Sequence, residues 1–188
     1  MLKFNESNAE CAVFTYKQGM LSAVAHNLKL EVSKFEITVQ MNDRDNDPSE
    51  REIFIDAVFD ASSLKAVCTM KDGEEQAGTL SSSDRKDIEK NIADSVLLPK
   101  KYPQIRFSST SVSGDLKNPK VEGKLTLCGV TRDLVVSVMR QNSGYAGEVT
   151  LKQPDFGIKP FSALLGTMKV KPAVVVRVSV KCLAEESE

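Results

Sequence analysis

The sequence predicts a mainly β protein, an eight-stranded antiparallel barrel with one amphipathic helix near its mouth. Apolar and polar residues alternate with period two along most of the chain, which is the signature of strands with one apolar and one solvated face. Short turn-forming strings separate the alternating runs. A single central segment breaks the pattern and repeats its apolar residues with a helical period.

The expected strands cover 11–17, 27–41, 52–60, 104–113, 121–128, 132–140, 145–152 and 168–181. In the second, Leu28, Leu30 and Val32 alternate with Lys29, Glu31 and Ser33; the phase then slips, and Phe35, Ile37, Val39 and Met41 continue on the opposite parity. A slip of one residue within a long strand predicts a β-bulge, a device that bends strands at barrel corners. Between 61 and 103 the alternation gives way to an acidic loop at Lys71–Gln76 and then to a helix. Ser82 or Ser83 suits its N-cap, Asp84 and Asp87 suit the positive end of its dipole, Ile88, Ile92 and Val96 recur every four residues, and Pro99 ends it.

Beyond the helix, Ile105 and Phe107 oppose Arg106 and Ser108, and Val121, Gly123, Leu125 and Leu127 oppose Glu122, Lys124 and Thr126. Cys128-Gly129-Val130-Thr131 reads as a tight hairpin leading to Leu134, Val136 and Val138. After Asn142-Ser143-Gly144 come Tyr145, Val149 and Leu151. The last strand sets Met168, Val170, Val174, Val176, Val178 and Val180 against Lys169, Lys171, Arg177, Ser179 and Lys181, with Pro172 marking an edge or a bulge. Eight such strands joined by short turns can close without exposed edges, although a sandwich would show the same alternation. One domain over 1–183 with a frayed tail at 184–188 fits the length of 188 residues.

Composition narrows the function. Lysine plus arginine (25) nearly balance aspartate plus glutamate (26), so no global field points to nucleic acid. No apolar run approaches membrane-spanning length. Met1-Leu2-Lys3-Phe4-Asn5 leads straight into polar residues without a secretory apolar run, so a cytoplasmic location is expected, with the periplasm the alternative if a leader has been removed. Cys11, Cys68, Cys128 and Cys182 lie too far apart for a zinc or redox CxxC motif and are expected to be ordinary thiols dispensable for function.

Signals for catalysis are weak. His26 is the single histidine, which leaves no multi-histidine metal site, and a polar residue satisfied at a strand start is the reading favoured over a catalytic one. Gly-rich phosphate loops and a G-x-S-x-G elbow are absent. The runs Asp43–Asp47 and Glu74–Glu75 look like solvated turns; neither glycine nor bidentate glutamate follows the first at calcium-loop spacing. No metal and no obligatory cofactor is therefore expected.

The inward parity gathers Leu30, Val32, Ile105, Phe107, Leu125, Leu127, Val136, Val138, Val149, Val174, Val176 and Val178 around one apolar interior. The greasy segment 155–166 must bury itself or cover something. Its Phe156, Ile158, Phe161, Leu164 and Leu165 are expected to cover one end, either as a plug or as a lid against a ligand.

Three strings, Lys101-Tyr102-Pro103-Gln104-Ile105-Arg106-Phe107, Leu125-Thr126-Leu127-Cys128-Gly129-Val130-Thr131 and Asp155-Phe156-Gly157-Ile158, resemble the YceI-like family, and the resemblance runs from Gly19 to the last strand. It implies a lipocalin-like antiparallel barrel enclosing a polyisoprenoid such as a quinone or prenyl chain, often periplasmic and in some members dimeric. Cys128 replaces the histidine usual before Gly-Val-Thr, and Ala25-His26-Asn27-Leu28 resembles a leaderless subgroup. The leading expectation is thus an isoprenoid-binding carrier, not an enzyme, with a homodimer possible. A partner-binding barrel with a filled core is second, and an enzyme using His26 or a thiolate on a hydrophobic substrate third.

Overall fold

The computed structural model describes residues 1–18, 26–44, 47–163 and 168–182. The first half of the chain forms β1 (Leu2–Asn5), β2 (Ala9–Thr15), β3 (Lys17–Gln18), β4 (Asn27–Val32), β5 (Phe35–Arg44), β6 (Asp47–Asp60), β7 (Leu64–Lys71) and β8 (Glu74–Gln76), followed by helix α1 (Ser82–Ile92). The second half forms β9 (Gln104–Ser113), β10 (Lys120–Leu127), β11 (Val130–Gln141), β12 (Gly144–Lys152), β13 (Ser162–Ala163), β14 (Met168–Val170) and β15 (Ala173–Lys181).

The mainly β class with one helix holds, and the strands join into one twelve-stranded antiparallel sheet where eight strands were expected. Its order is β1-β5-β6-β9-β10-β11-β12-β15-β2-β4-β7-β8, with β1 and β8 at its edges. A second sheet of three strands runs β13-β14-β3.

The difference has a local physical cause. The slip expected inside 27–41 is a full break at Ser33–Lys34, beside a second corner at the 3₁₀ turn Ala61–Ser63. Ser63, 7 % exposed, holds the two together: its hydroxyl donates to Asp60 O at 2.8 Å and accepts from Lys34 N at 3.2 Å, while Ser33 N donates to Ser63 O at 3.0 Å. Pro172, which has no N–H for a ladder, separates β14 from β15 in the same way. The last expected strand is therefore two strands in two different sheets.

The long pattern-breaking segment also hides β7 and β8. In β7 an extra residue, Val67, falls between Ala66↔Leu30 and Cys68↔Lys29, and this bulge scrambles the period that would have announced the strand. Glu75 is solvated as expected but lies in β8 and not in a turn: it meets Lys29 Nζ at 2.7 Å, and Glu10 meets the same ammonium at 3.1 Å. Burial of Lys29 opposes its charge, but the two carboxylates outweigh that and hold its pKa above the ordinary value.

Elsewhere the elements follow their sequences closely. The β10–β11 hairpin pairs Leu127 with Val130, and Cys128 (φ 49°) and Gly129 (φ 76°) occupy its two left-handed central positions. Helix α1 is capped by Ser81, not by the expected Ser82 or Ser83. Ser81 Oγ accepts from Asp84 N at 3.1 Å and the Asp84 carboxylate accepts from Ser81 N at 2.9 Å, a reciprocal capping box. The helix passes into one π turn, Ala93–Leu97, and stops at Leu98 in the left-handed conformation, ahead of Pro99.

The packed core is divided. Phe4, Cys11, Val32, Phe35, Ile37 and Ala57 form one buried cluster; Leu97, Leu125, Leu127, Leu151, Phe156 and Ile158 form another.

Candidate functional site

The divided core reflects a hollow. A cavity of about 870 Å³ runs through the sheet, at the upper end of the size range of ligand pockets. Strands deliver its walls because alternate side chains point inward. Val174, Val176 and Val178 of β15 lie beside Val149 of β12 and Val136 and Val138 of β11 on one continuous wall, and all six are only half-buried although they point inward. Their exposed faces line the lumen.

All twelve residues expected on the inward parity lie on the cavity wall: Leu30, Val32, Ile105, Phe107, Leu125, Leu127, Val136, Val138, Val149, Val174, Val176 and Val178. Of the covering segment, Ile158 and Phe161 reach the cavity. Phe156 does not; it is 3 % exposed and packs into the core cluster with Leu97 and Leu151, so it serves as plug and not as lid. Leu164 and Leu165 lie outside the described residues. Gln153, 7 % exposed, ties this closed side to the Pro172 corner by donating from Nε2 to Lys171 O at 3.0 Å.

A whole wall escaped the sequence reading. Ile37, Val39 and Met41 of β5 and Ile53, Ile55 and Phe59 of β6 line the same cavity, joined by Phe4 and Val13. The slip after Val32 carried the signal, because a corner returns the opposite parity to the same interior. In β6 the exposed Phe54 and the half-buried Val58 sit on the outward parity and blur the alternation.

Two inward glycines shape the lumen. A methyl group at Gly123 would stand 2.5 Å from Cζ of Phe107 and 2.5 Å from Ser108 O, so the Phe107 ring lies directly over this glycine. At Gly147 it would stand 3.0 Å from Val136 Cγ1.

The helix forms one mouth. Ile88, Ile92, Val96 and Leu97 turn toward the cavity, yet α1 buries none of its residues. It is held to β7 by Glu89, which accepts from Lys65 Nζ at 3.0 Å and from Ala66 N at 3.2 Å, and by Arg85, whose Nη1 donates to Ala66 O at 3.4 Å. The exposed residues lining this mouth are polar: His26, Thr79, Asp84, Asp87, Asn91 and Lys169, with Lys17 beside them. His26 thus stands at a rim, just ahead of β4. The Ser81 hydroxyl and backbone N–H keep the Asp84 carboxyl below its ordinary pKa, so this rim carboxylate stays ionised.

Chemically reactive groups are sparse at the wall. Cys11 lines the cavity at 2 % exposure, and burial, with Glu10 and Glu31 nearby, pushes its thiol from 9.0 up to about 12, which makes it a poor nucleophile. Burial also raises Cys68 and Cys128. The Cys128 thiol donates to Leu97 O at 3.5 Å and so closes the end of the π turn. All four cysteines are free, and no cluster of three potential metal ligands occurs among the described residues.

A family model described as a YceI-like domain matches residues 4–182. No curated protein matches the chain. Among solved structures, BcnA of Burkholderia cenocepacia superposes with a TM-score of 0.66 at 18 % identity, over 95 % of this chain and 98 % of that one. A Campylobacter jejuni YceI protein gives 0.59 at 17 % identity, over 91 % and 92 %. A polyisoprenoid binding domain from Saccharophagus degradans, implicated in plant cell wall breakdown, gives 0.50 at 11 % identity, over 93 % and 94 %. At these identities the likeness is one of fold.

Proposed function

This chain belongs to the YceI-like family, and from that premise we propose that it binds a long apolar lipid, a polyisoprenoid quinone or prenyl alcohol, inside its lumen and carries it without altering it. The observation that supports this most is the hollow itself: about 870 Å³ lined mainly by Val, Leu, Ile and Phe. Each methylene moved from water into such walls gains about 0.8 kcal/mol, so a long chain needs few polar anchors. The Saccharophagus neighbour's polyisoprenoid binding fits the same reading. A filled-core barrel is disfavoured by the same hollow, and the high pKa of the wall thiol Cys11 disfavours that residue as a nucleophile.

The polar mouth bears on the head of the ligand. Asp84 and Asp87 on the rim stand among Lys17 and Lys169, so the rim favours neither sign of charge, and the Ser81 and Asp84 backbone donors already serve the capping box. An uncharged head fits better.

The same proposal reads the sheet as eight passes around the cargo. β1 with β2, β4 with β5 and β6 with β7 continue one another around the corners at 6–8, 33–34 and 61–63. With β9, β10, β11, β12 and β15 they make eight, in cyclic order because β2 pairs with both β15 and β4.

Native mass spectrometry of freshly purified protein tests the binding reading. A mass increment matching a prenyl lipid, regained by stripped protein on adding ubiquinone or a prenyl alcohol, is the expected result. Protein that carries no apolar ligand and takes up none when offered would refute it.

A further inference from the structure

The walls of the lumen are apolar, but one buried polar group on them keeps an unused acceptor. Three polar side chains are buried among the described residues: Ser63, Thr69 and Gln153. Ser63 serves the corner described above, and the Thr69 hydroxyl shares a hydrogen bond of 2.8 Å with that of Thr79. Neither lines the cavity, whereas Gln153 does.

Gln153 opens the 3₁₀ turn Gln153–Phe156 that follows β12, beside the Pro172 corner. Two backbone carbonyls fix its amide, because Nε2 donates to Lys171 O at 3.0 Å and to Pro172 O at 3.4 Å. A carbonyl only accepts, so the nitrogen must face that corner and Oε1 must turn from it. No donor among the described residues reaches Oε1. Every sealed-in side-chain nitrogen or oxygen has a partner, so Oε1, which has none, opens onto free space. At 7 % exposure and on the cavity wall, that space is the lumen. Donors around it are already spent: the N–H groups of Gln153, Gly157, Ile158 and Lys171 bond to the carbonyls of Pro172, Pro154, Gln153 and Tyr16. The adjoining liners, Leu151, Val174 and Ile158, are apolar.

We propose that Gln153 Oε1 is a head-group site that selects an isoprenoid with a hydroxyl head, a prenyl alcohol or a quinol, by accepting its hydrogen bond. An apolar chain that fills the lumen displaces water from Oε1, and a buried acceptor without a donor is costly. A hydroxyl head restores the bond. A ketone, an aldehyde or an ionised phosphate offers only acceptors and leaves Oε1 unpaired against another oxygen. The carbonyl forms still enter, held by their tails, but more weakly. This deepens the lipid-binding reading above and rests on it.

Affinities of stripped protein for two matched pairs test the site. Geranylgeraniol and geranylgeranial share one skeleton and differ in donor against acceptor; ubiquinol and ubiquinone of equal tail length, kept without oxygen, do the same for a ring head. Wild type is expected to bind the hydroxyl member about tenfold more tightly, the scale of one hydrogen bond to a buried acceptor. A preference in one pair alone assigns the site to that kind of head. Gln153→Met, similar in length but without the acceptor, should bring the members of each pair within about twofold, and comparison within a pair cancels any general loss of packing. If that variant does not fold, the side-chain amide NMR signals of Gln153 in wild type decide: they should move further with the hydroxyl member than with its carbonyl partner, and equal movement counts against the site. Equal affinities within both pairs for wild type, or a preference that survives Gln153→Met, overturns the proposal. Equal binding leaves the lumen reading standing; if none of the four ligands binds, both readings fall.

Discussion

Gly123 and Phe107 show how single residues set the bore of the lumen. The ring occupies the space a side chain at 123 would need, with backbone on the other side at Ser108 O. Gly123→Ala is expected to cost about 1–3 kcal/mol through overpacking, read as a lower midpoint in urea or heat. Cys11 gives a pH-dependent counterpart. Its thiol is raised in the fold from 9.0 to about 12, so the stabilisation from keeping it neutral is complete below about pH 9 and is lost as pH rises toward 12. Wild type should therefore lose more stability between pH 8 and pH 11 than Cys11→Ala does; equal losses in urea titrations would refute the assignment. Sequence spacing showed that the cysteines lie far apart in the chain, but which thiol is buried depends on packing that no local pattern reveals.

The helix is the element whose place was easiest to anticipate and whose attachment was hardest. Ile88, Ile92 and Val96 at four-residue spacing announced an apolar stripe. That the stripe faces an empty cavity, and that Glu89 and Arg85 tie the other side to β7, required β7 to be recognised as a strand. Its bulge at Val67 prevented this. Because α1 buries no residue, its position depends on those few polar contacts. Glu89→Ala is expected to cost about 1 kcal/mol. It should speed amide exchange across 82–92 and raise the rate of ligand release about fivefold, while the midpoint of global unfolding shifts little. Unchanged exchange in the helix would show that it is held by other means. Corners were the second blind spot. Period two reports a strand's faces but not its bends, so the Ser63 corner and the Pro172 break appeared in the sequence only as a slip and a proline.

At the scale of the molecule, alternation located most of the long strands and put all twelve expected wall positions on the cavity. It could not distinguish a hollow from a filled interior, because valine and leucine serve both. Volume is a sum over all walls, and the β5–β6 wall was absent from that sum. Two substitutions separate wall from cover. Val176→Glu places an unpaired carboxylate in the lumen and should abolish ubiquinone uptake. Phe161→Ala, beyond the plug, should weaken retention while leaving circular dichroism and the unfolding midpoint near wild type. Uptake by Val176→Glu equal to wild type would remove the lumen from consideration as the binding site.

The half-buried valines carry one more consequence, for energetics. A wall that finds no partner within the protein is a core left incomplete, and whatever fills the lumen completes it. Folding and loading are then thermodynamically linked: a ligand present at a hundred times its dissociation constant adds about 2.7 kcal/mol to the folded state. The melting temperature of this protein should therefore act as a gauge of occupancy. Unlabelled lipids can be ranked by thermal shift alone, and delipidated protein should melt several degrees below the same protein as it leaves the cell.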